Sequence, residues 1–140
     1  MSCWVFKDFL SNRGDKEVRL WLDGLPKKAR IKIEKRLQYL SQVKKLSSEP
    51  QYMKPYKGYD DIFEIRIVCD GTQYRPLCCY GPEPEEVTLL IGAVEKDWAL
   101  EPAKAADVAV ARKNLILSGK GKVCDFFSKN AEDAKSPIDK

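Results

Sequence analysis

Between positions 54 and 98 the chain gathers cations and aromatic rings: Lys54, Lys57, Arg66, Arg75 and Lys96 beside Tyr59, Tyr74, Tyr80 and Trp98. It contains no histidine. That excludes histidine general acid–base chemistry, a Ser-His-Asp triad and a histidine metal site, and no metal or cofactor is expected. Gly119-Lys120-Gly121-Lys122 lacks the spacing, the Ser/Thr and the preceding strand of a phosphate loop. Cations and rings without such a motif suit the cleavage of RNA by its own 2′-oxygen, which attacks the adjacent phosphate in line with the departing 5′-oxygen. The protein then has to supply geometry and positive charge. Arginines clamp phosphate oxygens and stabilise the pentavalent transition state. A lysine crowded by other cations is shifted toward neutrality and can accept a proton, and an aromatic ring can stack on a splayed base.

The element that must position these groups is a β-hairpin. Asp70-Gly71 reads as a two-residue turn of the primed type, which pairs Cys69 with Thr72, Val68 with Gln73, Ile67 with Tyr74 and Arg66 with Arg75. Like charges directly opposite each other destabilise a sheet, so the arginine pair needs an anion: Glu64, or a phosphate. Phe63, Ile65, Ile67, Tyr74 and Cys78 share the other face and predict the core side, which puts both arginines on the solvent side. The structural alternative is an ion pair between Arg66 and Glu64. Pro76 lacks an N–H where the ladder needs one, so a bulge or an early end to pairing is expected there.

Around the hairpin the pattern predicts a first strand over residues 3–10 and a helix capped by Asp15 that runs to about residue 23. Pro26 opens a second helix to about residue 45, in which Ala29, Ile33, Leu37, Leu40 and Val43 keep a helical period. Its polar side is strongly basic, with Lys27, Lys28, Arg30, Lys32, Lys35, Arg36, Lys44 and Lys45 against the single acid Glu34. A basic face of this kind is either a solvated helix surface or an attraction for a phosphate backbone. Strands at about 61–69, 73–80 and 86–94 have links too short for parallel crossovers, so they form an antiparallel meander. Pro102 opens an alanine-rich helix to Leu117, stopped by Ser118-Gly119. The core is expected to hold Trp21, Leu22, Ile33, Leu37, Leu40, Phe63, Ile65, Ile67, Leu89 and Ile91. Residues 1–118 read as one domain, and 119–140 as a charged, flexible tail with Val123, Phe126 and Phe127 as its anchors.

With 140 residues, 44% of them hydrophobic and 33% charged, the chain suffices for one core and not for two. The net charge of +4 is modest, so the distribution of cations matters more than their sum. No apolar run is long enough to span a membrane, and the first ten residues lack the features of a signal peptide, which predicts a cytoplasmic protein with no membrane partner. Five cysteines without C-x-x-C spacing read as reduced thiols.

The order of these pieces resembles the RelE/ParE toxins of bacterial toxin–antitoxin systems, particularly their HigB-like, phage-derived branch. The resembling run is Lys57-Gly58, Phe63-Glu64-Ile65-Arg66, Tyr74-Arg75, the apolar strand from Val87 to Val94, Lys96, Pro102 and the helix from Ala103 to Leu117. The segment from Val18 to Pro26 is similar to the start of that branch's helical hairpin. The resemblance implies an α+β, RelE-like fold: an N-terminal strand, a helical hairpin, a three-stranded antiparallel meander and a C-terminal helix. It further implies a ribosome-dependent mRNA endonuclease, neutralised by a cognate antitoxin of helix-turn-helix type, with mRNA and the ribosome as its other partners. Carried over by position, Arg66, Arg75, Lys57 and Lys96 are the catalytic candidates. Lys54, Tyr59, Tyr74, Tyr80, Trp98, Lys28, Lys32 and Lys35 are the RNA-binding ones. Glu95 stands where many relatives have a basic residue, and Asp97-Trp98 where they carry a histidine or tyrosine. These departures favour two other outcomes: a non-catalytic, ParE-like toxin that grips a protein target, or a toxin relic that keeps only its antitoxin or nucleic-acid contacts.

Overall fold

The computed structural model describes residues 3–127. Strand β1 (Val5–Leu10) is followed by the helical hairpin α1 (Glu17–Asp23) and α2 (Lys27–Gln42). Helix α2 starts where the sequence predicts it because its apolar residues lie on one stripe, and Ala29, Ile33, Leu37 and Leu40 are all buried, but it ends at Gln42, short of the predicted residue 45, and Val43 is extended. Asp15 is not the cap of α1. That role falls to Asp8, a fully buried carboxylate on β1 that accepts the backbone N–H groups of Val18 and Arg19, each at 2.8 Å. Burial pushes the Asp8 carboxyl up to about 6, against the opposing pull of those two hydrogen bonds.

After a 3-10 turn at Leu46–Ser48 and the short strand β2 (Met53–Pro55), the hairpin limbs each split in two. The first limb is β3 (Phe63–Ile65) and β4 (Ile67–Cys69), the second β5 (Thr72–Tyr74) and β6 (Leu77–Tyr80). Pairing of Cys69 with Thr72, Val68 with Gln73 and Ile67 with Tyr74 is as predicted, around an Asp70-Gly71 turn with both φ angles positive. It stops before Arg66 and Arg75. Pro76 has no N–H to give, and its carbonyl takes the Ile65 N–H at 2.9 Å with no bond returned. The Arg66 N–H turns to the Tyr52 carbonyl and the Arg75 N–H to the Ala93 carbonyl.

The chain closes with β7 (Glu86–Ile91), the hairpin β8 (Val94–Lys96) and β9 (Ala99–Glu101), helix α3 (Ala105–Leu117) and β10 (Lys122–Asp125). Two sheets result. One has the order β10-β1-β7-β6-β3-β2, antiparallel throughout except for the parallel pair β1 and β7; the other runs β4-β5-β8-β9, all antiparallel. The α+β class and the antiparallel meander β3-β6-β7 therefore stand, whereas the hairpin β8–β9 and the strands β2 and β10 go beyond the predicted elements. Part of the expected tail belongs to the domain: β10 pairs with β1, and Phe126 is fully buried. Residues 128–140 lie outside the described residues.

The large sheet is buried on both faces. Cys78, Val87 and Leu89 pack with α1 and α2 on one side, while Leu77, Cys79 and Leu90 pack with the Ala105, Ala106 and Ala109 stripe of α3 on the other. Most of the predicted core is buried, but Trp21, Phe63 and Ile91 are only partly so. Trp21 lies flat against Gly92, where an added Cβ would come within 1.9 Å of its ring, so this strand end must be glycine. The Cys78 and Cys79 thiols are buried, and burial raises the pKa of both.

Candidate nucleic-acid groove

The break in the hairpin gives Arg66 and Arg75 different surroundings. Arg66 stays at the surface, with 35% of its side chain exposed, and its Nε lies 3.3 Å from Glu64 Oε2. Arg75 is turned inward, contrary to the expected solvent-side placement, and only 2% of its side chain is exposed. Its Nε lies 3.3 Å from Glu95 Oε1, and its two terminal nitrogens donate to the Tyr74 carbonyl and the Gln73 amide oxygen. Burial, and after it the positive charge of Arg66, lowers the Arg75 pKa from its ordinary value. The anion that two close arginines require is thus a pair of carboxylates, Glu64 and Glu95. Glu95, which stands where many relatives have a basic residue, neutralises a buried guanidinium here. Register explains this partnership, since Glu95 pairs with Gln73 across β5 and β8, two residues from Arg75.

Two cavities meet at Arg66. The larger, about 380 Å³, is bounded by Lys54, Tyr56, Lys57, Glu64, Glu95 and Trp98. The second, about 360 Å³, runs from Arg66 and Arg75 past Tyr52 to Lys32 and Arg36 of α2. A third depression of about 270 Å³ continues along α2 between Lys32, Lys35, Tyr39 and Tyr52. Together they form one groove from the middle of α2 to the tip of the β8–β9 hairpin.

Helical spacing explains the α2 bank. Lys28, Lys35 and Arg36 each lie three or four residues from Lys32, on its side of the helix. The Arg36 guanidinium stacks 3.8 Å above the Tyr52 ring and donates to the Arg66 carbonyl, and the Lys32 ammonium donates to the Val68 carbonyl. These two contacts lock α2 to the hairpin and satisfy carbonyls on its outer edge, where β4 has no neighbouring strand. Lys28 is engaged elsewhere, 3.0 Å from Asp70 at the hairpin turn.

Of the other candidates, Lys54, Lys57 and Trp98 line the larger cavity. Lys96 does not; it lies 3.6 Å from Glu101 on the neighbouring strand. Tyr74 is buried edge-on to Trp21 and cannot stack on a base. Tyr80 packs with Trp4 and Phe63, on the sheet face that α1 and α2 cover. Tyr59 is half-buried against Tyr56, with its hydroxyl 3.5 Å from Asp107 of α3. Tyr39, Tyr52, Tyr56, Arg36 and the paired carboxylates are groove residues that the sequence did not single out as site residues. Arg36 was within reach, since it lies one helical turn from Lys32 in the same basic run.

Among the described residues no group of Cys, Asp and Glu is placed to hold a metal ion, and no helix is long and apolar enough to cross a membrane. Residues 20–115 match the family model described as Phage derived protein Gp49-like (DUF891), a span that includes every groove residue named above. No curated protein and no solved structure matches the chain.

Proposed function

Because the chain belongs to the Gp49-like family of phage-derived proteins, a RelE/toxin-like family, we propose that it is the toxin of a toxin–antitoxin pair, of the HigB-like kind. In this reading it binds RNA along the groove and cuts mRNA on the ribosome, in the cytoplasm. The observation that carries the reading is the continuity of cationic and aromatic groups through Arg66. Arg36, Lys32 and Lys35 line one end of the groove, Lys54 and Lys57 the other, and rings occur along its whole length. Such a surface follows a phosphate backbone and leaves bases free to stack.

At the scissile step the 2′-oxygen loses its proton and bonds to phosphorus, and the 5′-oxygen leaves and takes up a proton. The products are a 2′,3′-cyclic phosphate and a 5′-hydroxyl. Arg66 is the group that stabilises the phosphorane, since its side chain is 35% exposed and lines both cavities while Glu64 lies at its Nε. Lys57 lines the same cavity and is the candidate for moving a proton. Arg75, sealed beneath and neutralised by Glu95, holds the floor of the site in place.

The pre-pairing of both arginines favours a second reading, in which the groove grips its partner without cutting it. Induced expression separates the two. Growth arrest with mRNA ending in 2′,3′-cyclic or 3′-phosphates inside reading frames supports the nuclease. Arrest without such ends supports the non-catalytic toxin, and no arrest from folded protein supports a relic.

A further inference from the structure

Phosphate chemistry leaves two features of the larger cavity without a role: its carboxylates and its exposed indole. Asp97-Trp98 is the two-residue turn of the β8–β9 hairpin, with φ angles of 50° and 69°. A bulky residue is an outlier in that region, where asparagine and glycine are the usual occupants. Trp98 is nevertheless 95% exposed, so its ring has no part in the core. It stands at the edge of the cavity, which Tyr56 also lines.

The polar lining is of mixed sign. Lys54, Lys57 and Arg66 donate, whereas Glu64 and Glu95 accept. A phosphate alone would meet two repelling carboxylates, and a cationic side chain three repelling cations. A planar, uncharged group with both donors and acceptors suits this lining, and an unstacked nucleobase is such a group. The volume of about 380 Å³ is sufficient for a ligand of that class.

We propose that this cavity holds one unstacked guanine base and so selects where RNA is gripped, a deepening that rests on the RNA-binding reading above. Guanine alone of the four bases places two N–H donors side by side, at N1 and N2, where the two oxygens of one carboxylate can accept both. Its O6 and N7 then accept from a lysine or arginine. Adenine and cytosine set a ring-nitrogen lone pair beside their amino group, and uracil flanks its N–H with carbonyls; a carboxylate repels each of these. Glu95, with 24% of its side chain exposed against 10% for Glu64, is the more accessible acceptor. Trp98 stacks on the base face.

The test is a calorimetric titration of the purified full chain with 5′-GMP, 5′-IMP, 5′-AMP, 5′-CMP and 5′-UMP at one ionic strength. The phosphate is common to all five, so differences report the base. GMP should bind about tenfold or more tighter than AMP, CMP and UMP, with IMP, which lacks the N2 amino group, in between. Trp98→Ala should weaken GMP binding about tenfold without lowering the melting temperature, because the side chain it removes is exposed. Equal affinity for all the nucleotides, abolished by added salt, overturns the base pocket and leaves the RNA groove standing. A preference for another base also overturns the pocket. Binding of neither a nucleotide nor a single-stranded oligoribonucleotide overturns both.

Discussion

At the scale of single residues, burial decides what each arginine does. Removing one partner of a buried pair strands the other charge at a cost of about 3–5 kcal/mol, whereas an exposed pair contributes about 0–1 kcal/mol. Arg75→Ala empties a buried position but leaves Glu95, 24% exposed, within reach of water, so it is expected to lower stability by about 2–3 kcal/mol in a denaturant titration, and Arg66→Ala by about 1 kcal/mol or less. Equal losses would contradict the inward placement of Arg75. Glu95→Lys, attractive from the sequence as a way to restore a basic residue, should destabilise like Arg75→Ala because it sets a second cation against a buried one. Asp8 carries a different signature. Its carboxyl titrates near 3.8 when unfolded and near 6 when folded, so the folded state binds the extra proton. Its contribution to stability is full below about pH 4 and fades as pH rises through about 6, by about 3 kcal/mol at most. Comparing wild type with Asp8→Asn from pH 4 to pH 7 isolates this slope. Parallel profiles would show that Asp8 keeps its unfolded pKa.

At the scale of elements, the groove is made by two that the cations join. In the proposed RNA-binding reading, helix α2 supplies a sequence-blind bank. Replacing Lys32 and Lys35 with glutamine should reduce the slope of log affinity against log salt by about 0.7 for each phosphate of single-stranded RNA that is no longer neutralised, with the same effect on every sequence. A change that depends on sequence would mean that this face reads bases. The β8–β9 hairpin supplies the exposed ring, held in a backbone region that costs a bulky residue about 1–3 kcal/mol. Trp98→Gly should relieve that strain and raise stability by about 1 kcal/mol while weakening RNA binding. Loss of both stability and binding would indicate that Trp98 serves the fold. The sequence told less about this hairpin than about the Asp70-Gly71 one. Asp-Gly announces a primed turn through its own conformational preference, whereas Asp-Trp adopts the same geometry against preference and so leaves no turn signal.

At the scale of the whole molecule, the legible parts were those that local chemistry dictates. The α2 stripe, the hairpin register around Asp70-Gly71, the early end of pairing at Pro76 and the stop after Leu117 all follow from residue type and period. What the sequence concealed was set by distant partners. Asp8 displaced Asp15 as the α1 cap because a strand ten residues upstream delivers a carboxylate to the helix start. The inward turn of Arg75 depends on Glu95 arriving on a strand twenty residues later, and β10 depends on a free edge of β1. The candidate groove was legible to the same extent: Arg66, Lys54, Lys57, Lys32, Lys35 and Trp98 line it, whereas Lys96, Tyr74 and Tyr80 are placed elsewhere by sheet register. The proposed nuclease activity of the groove turns on whether it cuts mRNA through Arg66. Purified wild-type or Arg66→Ala protein, added to ribosomes programmed with a defined mRNA, answers this when the RNA ends are mapped. Wild type should cut within the translated frame and leave RNA intact without ribosomes, and the folded Arg66→Ala protein should cut roughly 100-fold to 1,000-fold more slowly. Undiminished cutting by Arg66→Ala, or no cutting by folded wild type on translating ribosomes, would contradict the assignment.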